Sequence, residues 1–158
     1  MFDMNIDDLP ERDVVDRPTG LTGYDCVAAV AAVLVNQATT GAFATAAQVT
    51  ARFNLTPNNK RWGSTPRSAV EYALEVIRGF TGLKSQRASV LPTAAGATEG
   101  HYAVFCIGPR GGHVVYGYRG ADVSYLFDPN RKMQNGVVTD MALRSLGFTS
   151  FEPYLFSK

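Results

Sequence analysis

The chain has 158 residues, 46% hydrophobic, 18% charged and 11% aromatic, with a formal net charge of +1. These are the values of one globular domain that buries a core, and they exclude a disordered segment. So even a charge gives no global pull toward nucleic acid or an acidic membrane. No run approaches the about 20 apolar residues of a membrane span, and two histidines and two cysteines without CxxC or HxxxH spacing point away from a metal site.

Residues 1–23 are polar and turn-rich, with Pro10, Pro18, Gly20 and Gly23 as breakers. Within them, 3–17 hold six acidic residues against two arginines, a solvated or partner-facing lead segment without the basic start of a secretory signal. At Asp25 the text turns almost wholly apolar, CVAAVAAVLVNQ. A helix with no polar face is buried on all sides, so this predicts a central core helix with Asp25 as its N-cap. Residues 42–53 predict a second helix, followed by the polar loop NLTPNNKRWGS. Thr65-Pro66 is a start signal for a third, with Val70, Leu74 and Ile77 on one face and Gly79 as its stop. After a loop holding Gly82, Pro92 and Gly96, the segments 101–107, 113–119 and 123–127 read as an antiparallel meander separated by GPRGG and GAD. A short helix, TDMALRSL with Gly147 as its cap, and a last strand around FEPYLF complete the chain. Helices first and an antiparallel sheet afterwards make an α+β domain over residues 24–158.

Antiparallel strands bring the start of one beside the end of the next, so the hairpin GGHVVYGYRGADVSYLFDPN sets His113 beside Asp128. Cys26 opens the apolar helix, where unpaired backbone N–H groups and the positive end of the helix dipole stabilise a thiolate, and an adjacent imidazolium adds to this. Cysteine, histidine and carboxylate make a nucleophile, its base and the group that orients the base. Each residue alone has a plainer reading: a core thiol, a surface histidine, a turn-forming aspartate before Pro129. Cys106, between Phe105 and Ile107, fits the core, and both cysteines read as thiols rather than a disulfide. His101 also precedes an apolar strand, but an up-down-up meander puts it at the far end from His113 and Asp128, which favours His113 as the base.

A cysteine opening a central helix, then a histidine opening a strand and an aspartate ending the next, resembles the papain-like cysteine peptidases. His113-Val-Val-Tyr-Gly-Tyr followed by Tyr-Leu-Phe-Asp128-Pro-Asn is most similar to the YopT-like bacterial effector branch. The resemblance implies Cys26 as nucleophile, His113 as base and Asp128 as orienting acid, with no cofactor. It also implies an effector or toxin made in the cytoplasm and delivered into a target cell, with the type VI route between bacteria as the expectation. A protein substrate and a cognate immunity protein would be its partners, with no nucleic acid among them. The resemblance departs at one place. Papain-like enzymes usually carry glutamine or asparagine shortly before the cysteine as an oxyanion donor, and RPTGLTGYD has neither, leaving the Cys26 backbone N–H with Thr19 or Thr22. Tyr24, Trp62 and Tyr116 are candidates for lining a substrate pocket. The same machinery serves a glutamine deamidase, a transglutaminase or a peptidoglycan amidase, and a fold that had lost its chemistry would be a binding module.

Overall fold

The computed structural model describes residues 24–39, 43–56, 58–109, 111–129 and 137–158. The lead segment, with Thr19 and Thr22, lies outside the described residues. The apolar run forms helix α1, Tyr24–Ala38, and every residue from Cys26 to Val35 is buried. The helix opens one residue ahead of Asp25, which therefore stands in the first turn and not at the cap. Helix α2, Ala46–Phe53, starts later than the composition suggests, because Thr45 and Gln48 close a capping box there. Helix α3, Pro66–Thr81, is capped in the same manner by Thr65 and Ser68, with Pro66 in its first turn.

Gly79 does not end α3. It lies within the helix, where an added Cβ would meet the Phe53 ring at 3.2 Å, so its smallness serves helix packing. The stop is Gly82, at φ +72°, whose N–H donates to the Arg78 carbonyl at 2.9 Å. The polar loop before α3 contains a 3-10 turn, Lys60–Trp62, capped by Asn59.

Six strands follow: β1 Lys84–Arg87, β2 Gly100–Gly108, β3 Gly111–Arg119, β4 Ser124–Phe127, β5 Val137–Val138 and β6 Ser150–Ser157. They form one antiparallel sheet in the order β1-β6-β2-β3-β4-β5. The expected meander is β2-β3-β4, but β1 and β5 were not foreseen. The short helix α4, Asp140–Ser145, is capped by Thr139 and ends at Leu146, with Gly147 one residue beyond the cap at φ +104°.

The two sheet faces bury different partners. Alternate residues such as Phe105, Val114, Tyr116, Phe127 and Tyr154 pack with α1, α2 and α3. The intervening Tyr102, Val104, Cys106, Val115 and Leu126 pack with Leu143 of α4 and with Phe148 and Phe151. Period-two alternation puts successive side chains on opposite faces, so a strand buried on both reads as a nearly continuous apolar run. No described helix is long and apolar enough to cross a membrane.

Candidate active site

The β2–β3 ladder sets His113 opposite Cys106, and the β3–β4 ladder sets Tyr116 opposite Phe127. One residue beyond the end of β4, Asp128 reaches the His113 side of the hairpin. His113 Nε2 lies 2.8 Å from Asp128 Oδ2, and both side chains are buried, at 1% and 0% exposure. A neutral imidazole in this pair donates its Nε2–H to the carboxylate, which leaves Nδ1 for the third member. Nδ1 is buried and lacks an aligned hydrogen bond. Its neighbour is the Cys26 thiol, carried by the first turn of α1 and close enough to act on the ring by charge and by hydrogen bonding. Loose alignment between a thiol and its base is the usual condition before substrate arrives.

The electrostatics follow from this enclosure. Burial alone pulls the His113 pKa down, but the Cys26 charge, the Asp128 hydrogen bond and the Cys26 hydrogen bond outweigh it and push the imidazole up to about 10. A ring so placed keeps its proton at neutral pH once it has one. Cys106 is different. Burial, reinforced by the charges of Cys26 and Asp128, pushes its thiol far above the usual range, and its sulfur points toward the Val104 carbonyl at 3.8 Å. It stays protonated and unreactive. Neither cysteine is in a disulfide.

Cys26 and His113 open into a cleft of about 420 Å³ between the start of α3 and the β2–β3 hairpin. Trp62, Val70, Ala73, Phe105, Ile107 and Val114 supply apolar walls, and no Asp, Glu, Lys or Arg is among the described lining residues. Trp62 is held there by its indole N–H, which donates to the Thr56 carbonyl at 3.0 Å, and by an edge contact with Tyr72.

The other sequence candidates fall elsewhere. His101 pairs with Tyr118 at the far end of β2 and β3, and its Nδ1 lies 2.8 Å from the Tyr116 hydroxyl. Five residues of strand separate that end from His113, about 17 Å at the strand rise. Burial lowers its pKa, and it takes no part in the cluster. Tyr116 is not a cleft residue: it is fully buried, with its hydroxyl at His101. The physical reason is position along the strand: Tyr116 shares a face with the cleft residue Val114 but lies further toward the His101 end, where the helical layer covers it. The Tyr24 side chain lies outside the described residues. Among the described residues no group of three or more His, Cys, Asp or Glu is arranged to hold a metal ion. One ring without any signal in the sequence, Phe148, stacks on His113 with centroids 6.0 Å apart. It comes from a turn far along the chain, and no local pattern marks such a contact.

A buried helix bearing a cysteine at its start, packed against an antiparallel sheet that carries the histidine and aspartate, is the papain-like cysteine peptidase fold. A solved structure with that architecture is the peptidase domain of Streptococcus ComA, a bifunctional ABC transporter involved in a quorum-sensing pathway. The two superpose with a TM-score of 0.51 at 17% identity, over 89% of this chain and 95% of that domain. The sequence itself matches no protein-family model and no curated protein.

Proposed function

We propose that this chain is a cysteine peptidase with Cys26 as nucleophile, His113 as general base and acid, and Asp128 as the orienting carboxylate. The observation that carries the reading is the buried 2.8 Å His113–Asp128 pair facing the Cys26 thiol at a helix start. Proton transfer from Sγ to Nδ1 creates a thiolate beside an imidazolium, and the buried Asp128 stabilises the positive ring. The thiolate attacks the substrate carbonyl carbon, and the negative oxygen that forms is received by the Cys26 backbone N–H. The C–N bond then breaks as His113 gives its proton to the departing amine. Water, deprotonated by the same ring, hydrolyses the thioester and restores the thiol.

The cleft argues for a substrate segment with an uncharged, apolar side chain near the scissile bond. Apart from the Cys26–His113 pair itself, a charged group buried there would meet no opposite charge among the described lining residues, and an unpaired buried charge is costly. The effector or toxin role, delivery into a target cell and a cognate immunity protein are supported by the likeness of residues 111–130 to the YopT-like branch. The acidic segment 3–17 suits a basic patch on that immunity partner, because opposite surface charge speeds encounter.

The test is proteomics of cells expressing the wild-type chain or Cys26→Ala. New protein termini that depend on Cys26 are expected. Deamidated or cross-linked glutamines without new termini would move the reading to another acyl transfer, and neither change would reduce the fold to a binding module.

A further inference from the structure

Three neighbours of His113 have evident roles: Cys26 from α1, Asp128 after β4, and Cys106 across the ladder on β2. The fourth, Phe148, lies on the turn between α4 and β6, its ring within 16° of parallel to the imidazole. We infer that Phe148 is a positioning residue for the catalytic base: a flat apolar cover that fixes the plane of the His113 ring and keeps water from the His113–Asp128 hydrogen bond. The inference rests on the reading of His113 as the base of a peptidase.

The turn that carries Phe148 is anchored on both sides. Its own N–H donates to the Leu143 carbonyl at 3.4 Å, and the N–H of Gly147 donates to the Arg144 carbonyl at 2.9 Å. On the other side Thr149 donates to the Ile107 carbonyl at 2.8 Å, stitching the turn to the end of β2. The approach is closest at Gly108. A Cβ there would lie 2.4 Å from the Gly147 carbonyl oxygen and 3.2 Å from the Phe148 Cα, so no larger residue lets the turn sit where it does. Gly108 is two residues from Cys106, the ladder partner of His113. The glycine thus sets the distance between cover and ring.

What the cover does follows from the geometry of the pair. The 6.0 Å separation is within the range for favourable aromatic contacts. An imidazole lying against a parallel ring cannot rotate out of plane without losing that contact, so Nε2 stays on Asp128 and Nδ1 stays toward Cys26. The charged groups facing the ring are Cys26 and Asp128, and the Cys106 thiol across the ladder stays neutral. The turn adds none, since Arg144 lies over the Phe151 ring, 4.7 Å from its centroid. Without the cover, water competes for Nε2 and screens the attractions that hold the imidazolium proton. Because those attractions outweigh burial at this ring, admitted water moves its titration downward.

The experiment follows the His113 ring by NMR through a pH titration in the wild type, Phe148→Ala, Phe148→Leu, Phe148→Tyr and Gly108→Ala. Alanine and leucine are expected to lower the His113 midpoint by about one pH unit or more. They should also reduce kcat roughly 10–100-fold, the scale of a small misplacement, with little change in KM. Tyrosine, which keeps the flat ring, should restore both. Gly108→Ala should shift the midpoint in the same direction with Phe148 intact. If Phe148→Ala does not fold, leucine and the Gly108 variant carry the test. A folded Phe148→Leu protein with the wild-type His113 titration overturns the inference. The peptidase reading fails in a separate measurement, mass-spectrometric alkylation in which wild-type Cys26 reacts no faster than Cys106, because the ring titration needs neither substrate nor thiol chemistry.

Discussion

The proton on His113 is held from two sides, and each holder can be removed separately. In Cys26→Ser the ring loses the largest of the influences that raise its pKa, so its NMR midpoint should fall from about 10 toward the ordinary histidine value. An unchanged midpoint would mean that the thiol is not its neighbour. The sign for stability follows. A group whose folded pKa exceeds its unfolded value of about 6.5 contributes stability that is fully present below that pH and is lost as pH rises through the folded pKa. Urea midpoints should therefore decline between roughly neutral pH and about 10 in the wild type, and the decline should come at lower pH in Cys26→Ser. Asp128→Asn keeps the size but loses the charge and the tautomer control, and should reduce kcat by about 10⁴-fold. Cys106→Ala should leave turnover intact and lower stability by about 1 kcal/mol, read by urea denaturation. The juxtaposition of His113 and Asp128 was legible because antiparallel pairing fixes neighbours over a short span of chain. Alternation alone does not exclude Tyr116, which shares a face with Val114; what removes it from the cleft is the cover of the helical layer, a tertiary fact.

Helix ends show where local signals compete. Gly79 and Gly82 both suit a helix stop, and the sequence does not rank them. What decides is tertiary: Phe53 occupies the space over Gly79, so the helix needs a small residue there and runs on to Gly82. Gly82 and Gly63 share φ +72°, yet their surroundings differ. Nothing lies within 4 Å of a Cβ at Gly82, whereas a Cβ at Gly63 would be 2.3 Å from Ser68 Oγ. That hydroxyl belongs to the capping box of α3 and donates to the Trp62 carbonyl at 2.9 Å, so it helps shape the cleft wall. Gly82→Ala should cost only the backbone strain, about 1 kcal/mol. Gly63→Ala should cost more than twice that and also raise KM, which urea denaturation and steady-state kinetics together would reveal. Equal losses in the two variants would show that the Ser68 contact relaxes freely.

Across the whole molecule, the helical layer and the sheet are tied beside the cleft by Arg67 of α3. Its guanidinium pairs with Glu152 of β6 and reaches the Tyr154 hydroxyl at 3.5 Å, while Arg87 of β1 stands 3.9 Å from the same carboxylate. Arg67 is 47% exposed, so solvent screens much of the pair, and Arg67→Ala should lower stability by about 1 kcal/mol, less at high salt. Arg67→Lys should recover only part, because an ammonium cannot make the forked contacts of a guanidinium. A salt-independent loss would assign the effect to packing of the side-chain stem. At this scale the sequence was least informative. The layer order and the β2-β3-β4 meander followed from periodicity, but β1 is the polar stretch KSQR, whose strand state comes from pairing with β6, and β5 has two residues. Neither carries a pattern of its own.

The position of β6 has a consequence for how the protein comes into being. It comes after the other five described strands in chain order, yet it lies inside the sheet, between β1 and β2. A chain emerging from a ribosome at about 5–20 residues per second can close the meander early. It cannot give β1 a neighbour, cover the outer edge of β2 or supply Glu152 to Arg67 until residues 150–157 are free. The cleft walls and the turn that bears Phe148 are therefore completed only after translation has passed the whole domain. Ribosome-bound chains halted before residue 150 should leave Cys26 no more reactive toward an electrophile than Cys106, while released chains should label at Cys26. If the domain has the proposed peptidase activity, that activity would thus arise only once this whole domain has left the ribosome.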